Sequence, residues 1–237
     1  DAVLVRTMPP GSLEHVVFRM NALAQLEAAG VRVVNRPRAI EVAVDKYLAT
    51  ARLQQAGLRV PKTVACQTAQ QARSAFEALG RDVVVKPIFG GEGRGIARCT
   101  DFDSAEQRFL EHEASGAVTY LQKFVDHHGY DIRLMVIGSK VLGMKRSNPY
   151  DWRTNISRGA QPEAMEVTPE LGEIAHCAAR AVGAEIAGVD LLPAKDGTLY
   201  ALEVNAVPGW RALAACTGID VAQLVLDQLV SRNGPNS

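Results

Sequence analysis

The amino-acid sequence predicts an α+β fold that follows part of an α/β domain. Late in the chain, the apolar segments IAGVDLL and TLYALEVN flank Asp196-Gly197, a dipeptide typical of hairpin turns. A second antiparallel strand pair, HHGYDIRLMVIG and KVLGMKR, surrounds Gly138-Ser139. Segments with helical periodicity separate the strands and can cover the sheets. The predicted helices of this region are 41–57, 69–80, 104–114, 168–183 and 217–230.

Residues 1–43 are predicted to be the remnant of an N-terminal α/β domain. AVLVR is predicted as a strand, the helical segment that follows ends at Gly30, and VRVVN is the next strand. Because a strand–helix–strand unit normally belongs to a larger parallel sheet, we expect further residues before the first one. Arg6 and Asn35 lie at strand ends, where open α/β sheets place ligand contacts, but positions in surface loops explain them equally well.

The composition is that of an ordinary globular protein and argues against several classes. Hydrophobic residues make up 47% and charged residues 22% of the chain, and 26 basic residues balance 26 acidic ones. This balance does not favour a nucleic-acid or membrane-surface binder, and no apolar run has the length of a bilayer span. We interpret the four widely spaced cysteines as reduced thiols of a cytoplasmic protein.

A glycine-rich loop follows directly on a β-branched strand. The strand RDVVVKPIFG carries Lys86 near its end, and Gly90, Gly91, Gly93 and Gly95 follow within six residues. Such a loop allows the backbone to approach a ligand closely, and the lysine adds a cation for phosphate. The order differs from that of a P-loop, and no long helix follows as in dinucleotide-binding motifs. We predict a flap that covers a nucleotide; a flexible hairpin loop is the alternative.

Three oxygen-bearing side chains are predicted on one face of the late hairpin. Asp190 and Glu203 are each embedded in apolar neighbours, and Asn205 lies two residues after Glu203, on the same face of a strand. If the hairpin closes at its Asp-Gly turn, Asp190 lies opposite or nearly opposite this pair. A buried carboxylate needs a compensating charge, and Mg²⁺ accepts such ligands together with phosphate oxygens. The alternative is an ordinary hairpin whose acids are solvated.

Further polar side chains interrupt the apolar pattern between these two motifs. They are Asp131, Arg133 and Arg146 on the predicted strand pair, and Arg153, Asn155 and Arg158 in the polar loop that follows it. The basic cluster of the loop is able to hold anions, but a solvated surface explains it as well. His127 and His128 lie in a turn and are interpreted as solvated rather than as metal ligands.

The motifs follow one another in a characteristic order. The series is DK at Asp45-Lys46, then KPIFGGEGRGI, LQKFV, GYDIR, WRTN, AGVDLL and LEVNAVPGW, and it covers essentially the whole chain. This order resembles that of the ATP-grasp carboxylate–amine ligases and, among them, the RimK-like amino-acid (α-L-glutamate) ligases. The resemblance implies two α+β lobes that enclose ATP: an N-terminal lobe at 44–119 with the glycine loop, and a C-terminal lobe at 120–237 with the metal site.

The resemblance also implies a role for each candidate residue. The ATP-binding residues are Lys46 and Lys86 at the phosphates, the four loop glycines above them, Gln122, Lys123, Phe124 and Val125 at adenine, and Asp131 at the ribose. The metal ligands are Asp190, Glu203 and Asn205, which hold two Mg²⁺ ions, with Mn²⁺ as a possible substitute. The catalytic residues are Arg153 and Asn155 near the γ-phosphate and the acyl-phosphate, and Arg133 and Arg146 at the substrate or intermediate.

Two departures from the family pattern stand out. Lys123 occupies a position where the family usually has Glu, but ATP binding is expected to survive because backbone groups contact adenine there. Trp210 and Arg211 follow the metal site where many relatives lack the tryptophan. They either shape the pocket of the acceptor, or Trp210 packs against the final helix.

The implied reaction is ATP-dependent formation of an amide. ATP activates a carboxylate as an acyl-phosphate, and the α-amine of an amino acid, with L-glutamate as the first choice, attacks it with loss of phosphate. The acceptor is a protein, a peptide or a cofactor. One alternative is a glutamate ligase of coenzyme biosynthesis that extends a pterin- or furan-type tail; another is a non-catalytic ATP-binding regulatory protein. The resemblance also allows a homo-oligomer.

Overall fold

The computed structural model of the protein describes residues 1–9, 11–91 and 93–231. Within these ranges, eleven strands and eight α-helices follow one another. The strands are β1 (Ala2–Leu4), β2 (Arg32–Val34), β3 (Thr63–Cys66), β4 (Val83–Pro87), β5 (Ala97–Cys99), β6 (Thr119–Lys123), β7 (Tyr130–Ile137), β8 (Lys140–Ser147), β9 (Gln161–Met165), β10 (Ile186–Pro193) and β11 (Leu199–Asn205). The helices are α1 (Leu13–Ala28), α2 (Pro37–Val44), α3 (Lys46–Gln55), α4 (Ala69–Ala78), α5 (Phe102–Ala114), α6 (Pro169–Val182), α7 (Arg211–Thr217) and α8 (Val221–Val230).

Helix α6 begins and ends at the residues that the sequence indicates. The side chain of Thr168 accepts a hydrogen bond from the Leu171 amide, and Pro169 occupies the first turn, where its missing N–H is not needed. The helix ends at Gly183, which adopts the left-handed conformation with φ of 75°. Local capping chemistry is therefore sufficient to define this helix.

One predicted helix is divided in two and another begins later than predicted, which corrects the sequence-based expectation. The segment 41–57 contains a break at Asp45, which adopts an extended conformation and accepts hydrogen bonds from the amides of Tyr47 and Leu48 at 2.9 and 3.0 Å. This capping ends α2 and starts α3. The helix predicted at 217–230 begins only at Val221, because Gly218, whose φ is 71°, terminates the preceding helix α7 after Thr217.

The described strands form three sheets. β1 and β2 pair in parallel, β3-β6-β4-β5 form an antiparallel four-stranded sheet, and β11-β10-β7-β8-β9 form an antiparallel five-stranded sheet. In the β10–β11 hairpin, Asp190 pairs directly with Glu203 and Gly188 with Asn205. On the other side of β10, Asp190 is opposite Arg133. The hairpin register predicted from the Asp-Gly turn is confirmed.

Each of the two larger sheets packs against helices through an apolar core. The four-stranded sheet packs against α4 and α5, where the rings of Phe76 and Phe109 meet edge to face with centroids 6.3 Å apart. The five-stranded sheet packs one face against α2, α3 and α6. Part of its other face is covered by α7 and α8, with Leu213 and Val225 against Met135 and Ile137. The remainder of that second face carries the charged residues described below.

The sheets cross the predicted domain boundaries in two places. Strand β6 begins at Thr119 and pairs with β3 and β4, so that the predicted boundary between 119 and 120 falls inside it. Ala49 and Leu53 of α3 lie in the core of the five-stranded sheet, although they belong to the predicted N-terminal lobe. The division into 1–43, 44–119 and 120–237 stays a prediction.

Over the described residues, no single helix has both the length and the hydropathy of a membrane span. Helices α7 and α8 meet those criteria only when taken together, and they are bent by 116° at the break between them.

Candidate functional site

The second face of the five-stranded sheet brings six predicted site residues together. Side chains two positions apart share a face of a strand, and the register places neighbouring strands side by side. Three rows of residues cross this face. Asp131 is opposite Arg146, and Gly188 is opposite Asn205. Between them, Asp190 has Arg133 on one side and Glu203 on the other. The sheet order, which is not sequential, is therefore what assembles this charged face.

Buried ion pairs connect four of these side chains. Arg146 donates to both oxygens of Asp131, from Nε at 2.7 Å and from Nη2 at 2.6 Å, and its Nη2 lies 3.0 Å from Asp190 Oδ2. Arg133 Nη1 donates to Asp190 Oδ1 at 2.6 Å. The four side chains are between 4% and 11% exposed. At this burial, each charge depends on its partner, because an unpaired ion in the interior costs several kcal/mol.

The protonation of this network follows from the pairing. Burial alone would raise the pKa of Asp190, but the ion pairs with Arg133 and Arg146 hold that pKa below its usual value. Burial disfavours the charge of Arg146, yet Asp190 and Asp131 outweigh it and raise the pKa of the guanidinium. Asp190 is therefore an ionised carboxylate, the form in which it can serve as a metal ligand.

Asp131 is held more tightly than a simple ligand contact requires. Besides its two bonds from Arg146, it accepts a hydrogen bond from Thr154 Oγ1 at 2.6 Å. Both carboxylate oxygens are thus engaged within the protein. Through these bonds Asp131 orients Arg146; its predicted contact with ribose stays a prediction. Thr154 is a member of the network that the sequence reasoning missed, although it lies within the RTN motif.

Lys86 extends from the four-stranded sheet towards the acids of the five-stranded sheet. Its Nζ donates to Gln122 Oε1 at 2.6 Å. Burial lowers the pKa of Lys86 to about 8; Glu203 and Asp190 counteract this shift, whereas the nearby Lys46 adds to it. Lys46, Lys86, Tyr120 and Glu203 surround a small space of about 10 Å³. The two predicted phosphate-binding lysines and one predicted metal ligand therefore lie together.

The glycine-rich flap lies against the polar loop that follows β8. Gly90, Gly93 and Gly95 adopt backbone φ values of 119°, 70° and 70°, which residues other than glycine rarely adopt. A Cβ atom at Gly93 would lie 2.5 Å from Asn155 Oδ1. Lys46 Nζ donates to the Gly90 carbonyl at 2.5 Å. The absence of a side chain at Gly93 is thus what allows the flap to approach Asn155.

Two arginines of the polar loop also hold the flap. Arg153 Nη1 donates to the carbonyl of Ile96, and Arg158 Nη2 donates to the carbonyl of Gly93, both at 3.3 Å. Asp151 orients Arg153 through hydrogen bonds that lower the pKa of the carboxyl group. The sequence reasoning named Arg153, but not Asp151, whose position two residues earlier was the available signal.

The predicted hinge borders a larger cleft. Gln122 and Lys123 end β6, and the amide of Phe124 donates to the carbonyl of Asp82 at 2.9 Å. The ring of Phe124 lies edge to face against Trp152 with centroids 5.8 Å apart, and Arg98 stacks over it at 3.5 Å. Phe124, Trp152, Arg98 and Asp82 are among the residues that line a cleft of about 650 Å³. The volume and the aromatic walls are suited to a planar heterocycle.

The N-terminal segment supports the site from the other side. Asn35 is buried; its side-chain nitrogen donates to the carbonyls of Ile186 and Ala206, and its oxygen accepts from two amides at the start of β10. It therefore fixes the chain next to Asn205 rather than contacting a ligand. Arg6 stacks over Trp210 at 3.5 Å and donates to the Pro208 carbonyl.

Comparison with known proteins identifies the family. A sequence model of the RimK-like ATP-grasp domain matches residues 43–229. The chain belongs to the RimK-like ATP-grasp family. It is accordingly an ATP-dependent ligase, an enzyme that forms carbon–nitrogen bonds, which confirms the predicted family, fold and enzyme class.

Two curated relatives and one solved structure show how close the similarity is. The chain is 36% identical to a tetrahydromethanopterin:alpha-L-glutamate ligase of Methanosarcina acetivorans, over 97% of this chain and 79% of the relative. It is 31% identical to a glutamate–LysW ligase ArgX of Sulfurisphaera tokodaii, over 97% and 81%. The structure of the ATP-grasp ligase PsnB complexed with a minimal precursor superposes with a TM-score of 0.76 at 25% identity, over 97% and 78%. PsnB has also been solved with Mg and ADP.

The donor set of this ATP-grasp ligase fits Mg²⁺. Asp190, Glu203 and Asn205 offer only oxygen and amide donors on adjacent positions of one hairpin face, the chemistry that hard divalent cations prefer. No cluster of three or more His, Cys, Asp or Glu side chains suited to a metal occurs among the described residues, so that a site here relies on Asn205 and on ligand oxygens. Asn205 Oδ1 accepts a hydrogen bond from the Val207 amide at 2.8 Å, which fixes its orientation.

Proposed function

We propose that this protein joins L-glutamate to a carboxylate acceptor through an acyl-phosphate formed at the expense of ATP. The observation that carries the proposal is the convergence of Lys46, Lys86 and the flap on the hairpin that bears Asp190 and Glu203. Two lysines from one side and two carboxylates from the other form a site for a nucleoside triphosphate and its metal ions. A cation-only phosphate site would not need the acids.

The residues of the chain divide the work of binding between them. In the proposal, Lys46 and Lys86 bind the phosphates, and the cleft walled by Phe124 and Trp152 at the hinge receives adenine, which backbone groups of Lys123 and Val125 contact. Asp190, Glu203 and Asn205 would hold two Mg²⁺ ions, or Mn²⁺ in their place, which neutralise charge on the transferred phosphoryl group.

The flap and the polar loop protect the activated carboxylate. Arg153 and Asn155 approach the flap at Ile96 and Gly93, so that closing the flap brings a guanidinium and an amide over the phosphates. Excluding water at this point prevents hydrolysis of the acyl-phosphate before the amine attacks. Arg133 and Arg146 supply positive charge on the sheet face for a substrate carboxylate or the intermediate.

Glutamate is the first choice for the amino acid because several relatives are named glutamate ligases. Among acceptors, the 36% identical relative named a tetrahydromethanopterin:alpha-L-glutamate ligase favours a small cofactor with a carboxylate tail. A carrier protein or a peptide is the second choice. The cytoplasmic location and the association into a homo-oligomer stay predictions.

An ADP-release screen tests the proposal. The protein is incubated with ATP and Mg²⁺, each amino acid in turn, and a panel of pterin, peptide and protein carboxylates, and products are identified by mass spectrometry. We expect ADP formation that requires both L-glutamate and one acceptor, with a mass increase of one glutamyl residue. ATP binding without amino-acid-dependent ADP formation would show a regulatory protein instead.

A further inference from the structure

The side chain of Arg133 passes over a glycine of the neighbouring strand. Arg133 belongs to β7, and its guanidinium lies over Gly188 of the neighbouring β10 on the way to Asp190. A Cβ atom at Gly188 would overlap Arg133 Nη2 and lie 2.5 Å from Cζ and 2.8 Å from Nε. Any other residue at 188 would therefore remove the guanidinium from this position.

This position is in the middle of the proposed metal ligands. Gly188 pairs with Asn205 in the register, and Asp190, two residues further along the same face, pairs with Glu203. Arg133 Nη1 donates a hydrogen bond to Asp190 Oδ1 at 2.6 Å, and Arg146 Nη2 lies 3.0 Å from Asp190 Oδ2. A cation that coordinates Asp190 must therefore compete with a guanidinium for the same carboxylate.

The two arginines differ in how replaceable they are. Arg146 keeps two hydrogen bonds to Asp131 if it leaves Asp190. For Arg133, Asp190 is the one ion-pair partner among the described residues. Its side chain is long, and Gly188 beneath it has no side chain that holds it. The guanidinium can therefore move once a metal neutralises Asp190.

We propose that Arg133, whose guanidinium lies over Gly188, is an exchangeable counter-ion of Asp190. Metal binding at Asp190 displaces this guanidinium, which then becomes available to the carboxylate of a substrate. The inference rests on the proposed function, because it requires the metal site. It couples two binding events: the substrate-binding guanidinium is released only when the metal is in place.

Mn²⁺ affinity, measured by electron paramagnetic resonance with and without ADP, tests the exchange. Arg133→Ala removes the competitor, and we expect the dissociation constant for Mn²⁺ to fall about 5-fold or more, the lower end of typical couplings between sites. A residue with a merely structural role would instead weaken metal binding when it is removed. An unchanged or weaker Mn²⁺ affinity in Arg133→Ala overturns the inference.

Gly188→Ala supplies an independent arm. The residue has no left-handed backbone conformation, and the clash is with the end of a flexible side chain, so that alanine displaces Arg133 rather than the strand. We expect the same gain in Mn²⁺ affinity as in Arg133→Ala, and no further gain in the double variant. Additive effects would contradict the shared mechanism. Gly172→Ala in α6, with only Val167 at 4.0 Å, is the control that leaves the affinity unchanged.

The substrate readout must move in the opposite direction. With the amino acid and acceptor found by the ADP-release screen, Arg133→Ala is expected to raise the KM of one of them while Mn²⁺ binds more tightly. If both KM values stay unchanged, the second half of the proposal fails. If the wild-type protein binds no Mn²⁺ even with ADP, the proposed function itself fails, and this result is distinguishable from a failure of the exchange alone.

Discussion

The five-stranded sheet and the glycine-rich flap both carry candidate site residues, but they hold them by different means. On the sheet, Asp131, Arg146 and Asp190 are fixed by buried ion pairs on strands with partners on both sides. On the flap, the chain turns at glycines and is held by side chains from elsewhere, such as Lys46 and Arg158.

This difference separates a pre-organised surface from a movable cover. Charges fixed on a sheet need no reorganisation during phosphoryl transfer, which is how most electrostatic catalysis operates. A flap held by a few hydrogen bonds at 2.5 to 3.3 Å can open for substrates and close for chemistry. Substitution of a metal ligand or of one partner in the Asp131–Arg146 pair should therefore abolish activity or stability, whereas substitutions on the flap should mainly change turnover.

The largest effect is expected at the metal ligands. Glu203→Gln keeps the shape of the side chain but removes its charge, and we expect amino-acid-dependent ADP formation to fall more than about 100-fold. Glu163→Gln on the exposed part of β9 is the control, with normal activity expected. Normal turnover of Glu203→Gln would remove the metal assignment.

The buried ion network predicts a large loss of stability. Arg146→Met leaves Asp131 buried without its bidentate partner, and we expect the free energy of unfolding in urea to decrease by about 3–5 kcal/mol. Arg38→Met, which breaks an exposed pair with Glu41, should change it by less than about 1 kcal/mol. Equal effects in the two variants would show that the network contributes nothing special.

A matched pair of glycine substitutions tests the flap. Gly93→Ala and Gly116→Ala introduce the same backbone strain, because φ is 70° at the first and 69° at the second. Only the first creates a contact, with Asn155. A Cβ atom added at Gly116 has no neighbouring heavy atom within 4 Å. We expect a decrease of kcat of about 10-fold or more in Gly93→Ala alone, since a small misplacement of closing groups is costly. Similar kcat values in both variants would exclude a tight flap–Asn155 approach.

The smallest effect is the pH dependence of nucleotide binding through Lys86. Its pKa of about 8 in the free protein should rise when phosphates bind, because they favour the charged amine. Binding is then strongest below about pH 8 and weakens as the pH rises through that value, by up to about tenfold between pH 7 and 9. ADP titrations by calorimetry measure this change, and Lys86→Arg, which stays charged, should show a flatter profile. The same dependence in both proteins would assign it to another group.

Much of the fold could be predicted because it is encoded in local spacing. The alternation around Asp190 and Glu203, together with the Asp-Gly turn, predicts both the hairpin and its register. The glycines after Lys86 predict a loop that can approach other chains closely, and the structure uses this freedom at Gly93. The break at Asp45 was equally local: its carboxylate is an N-cap, a signal that the helical periodicity of the surrounding residues concealed.

The sequence by itself thus determined which strands and loops carry the candidate chemistry, because periodicity, caps and turns depend on near neighbours. Only the tertiary structure decided how the charges of the two hairpins meet. Arg133 over Gly188 and Arg146 beside Asp190 depend on a sheet order in which β10 lies next to β7, whereas the pair of Arg146 with Asp131 follows from the β7–β8 hairpin. That order results from burying apolar faces of segments far apart in the chain, and local spacing contains no record of it.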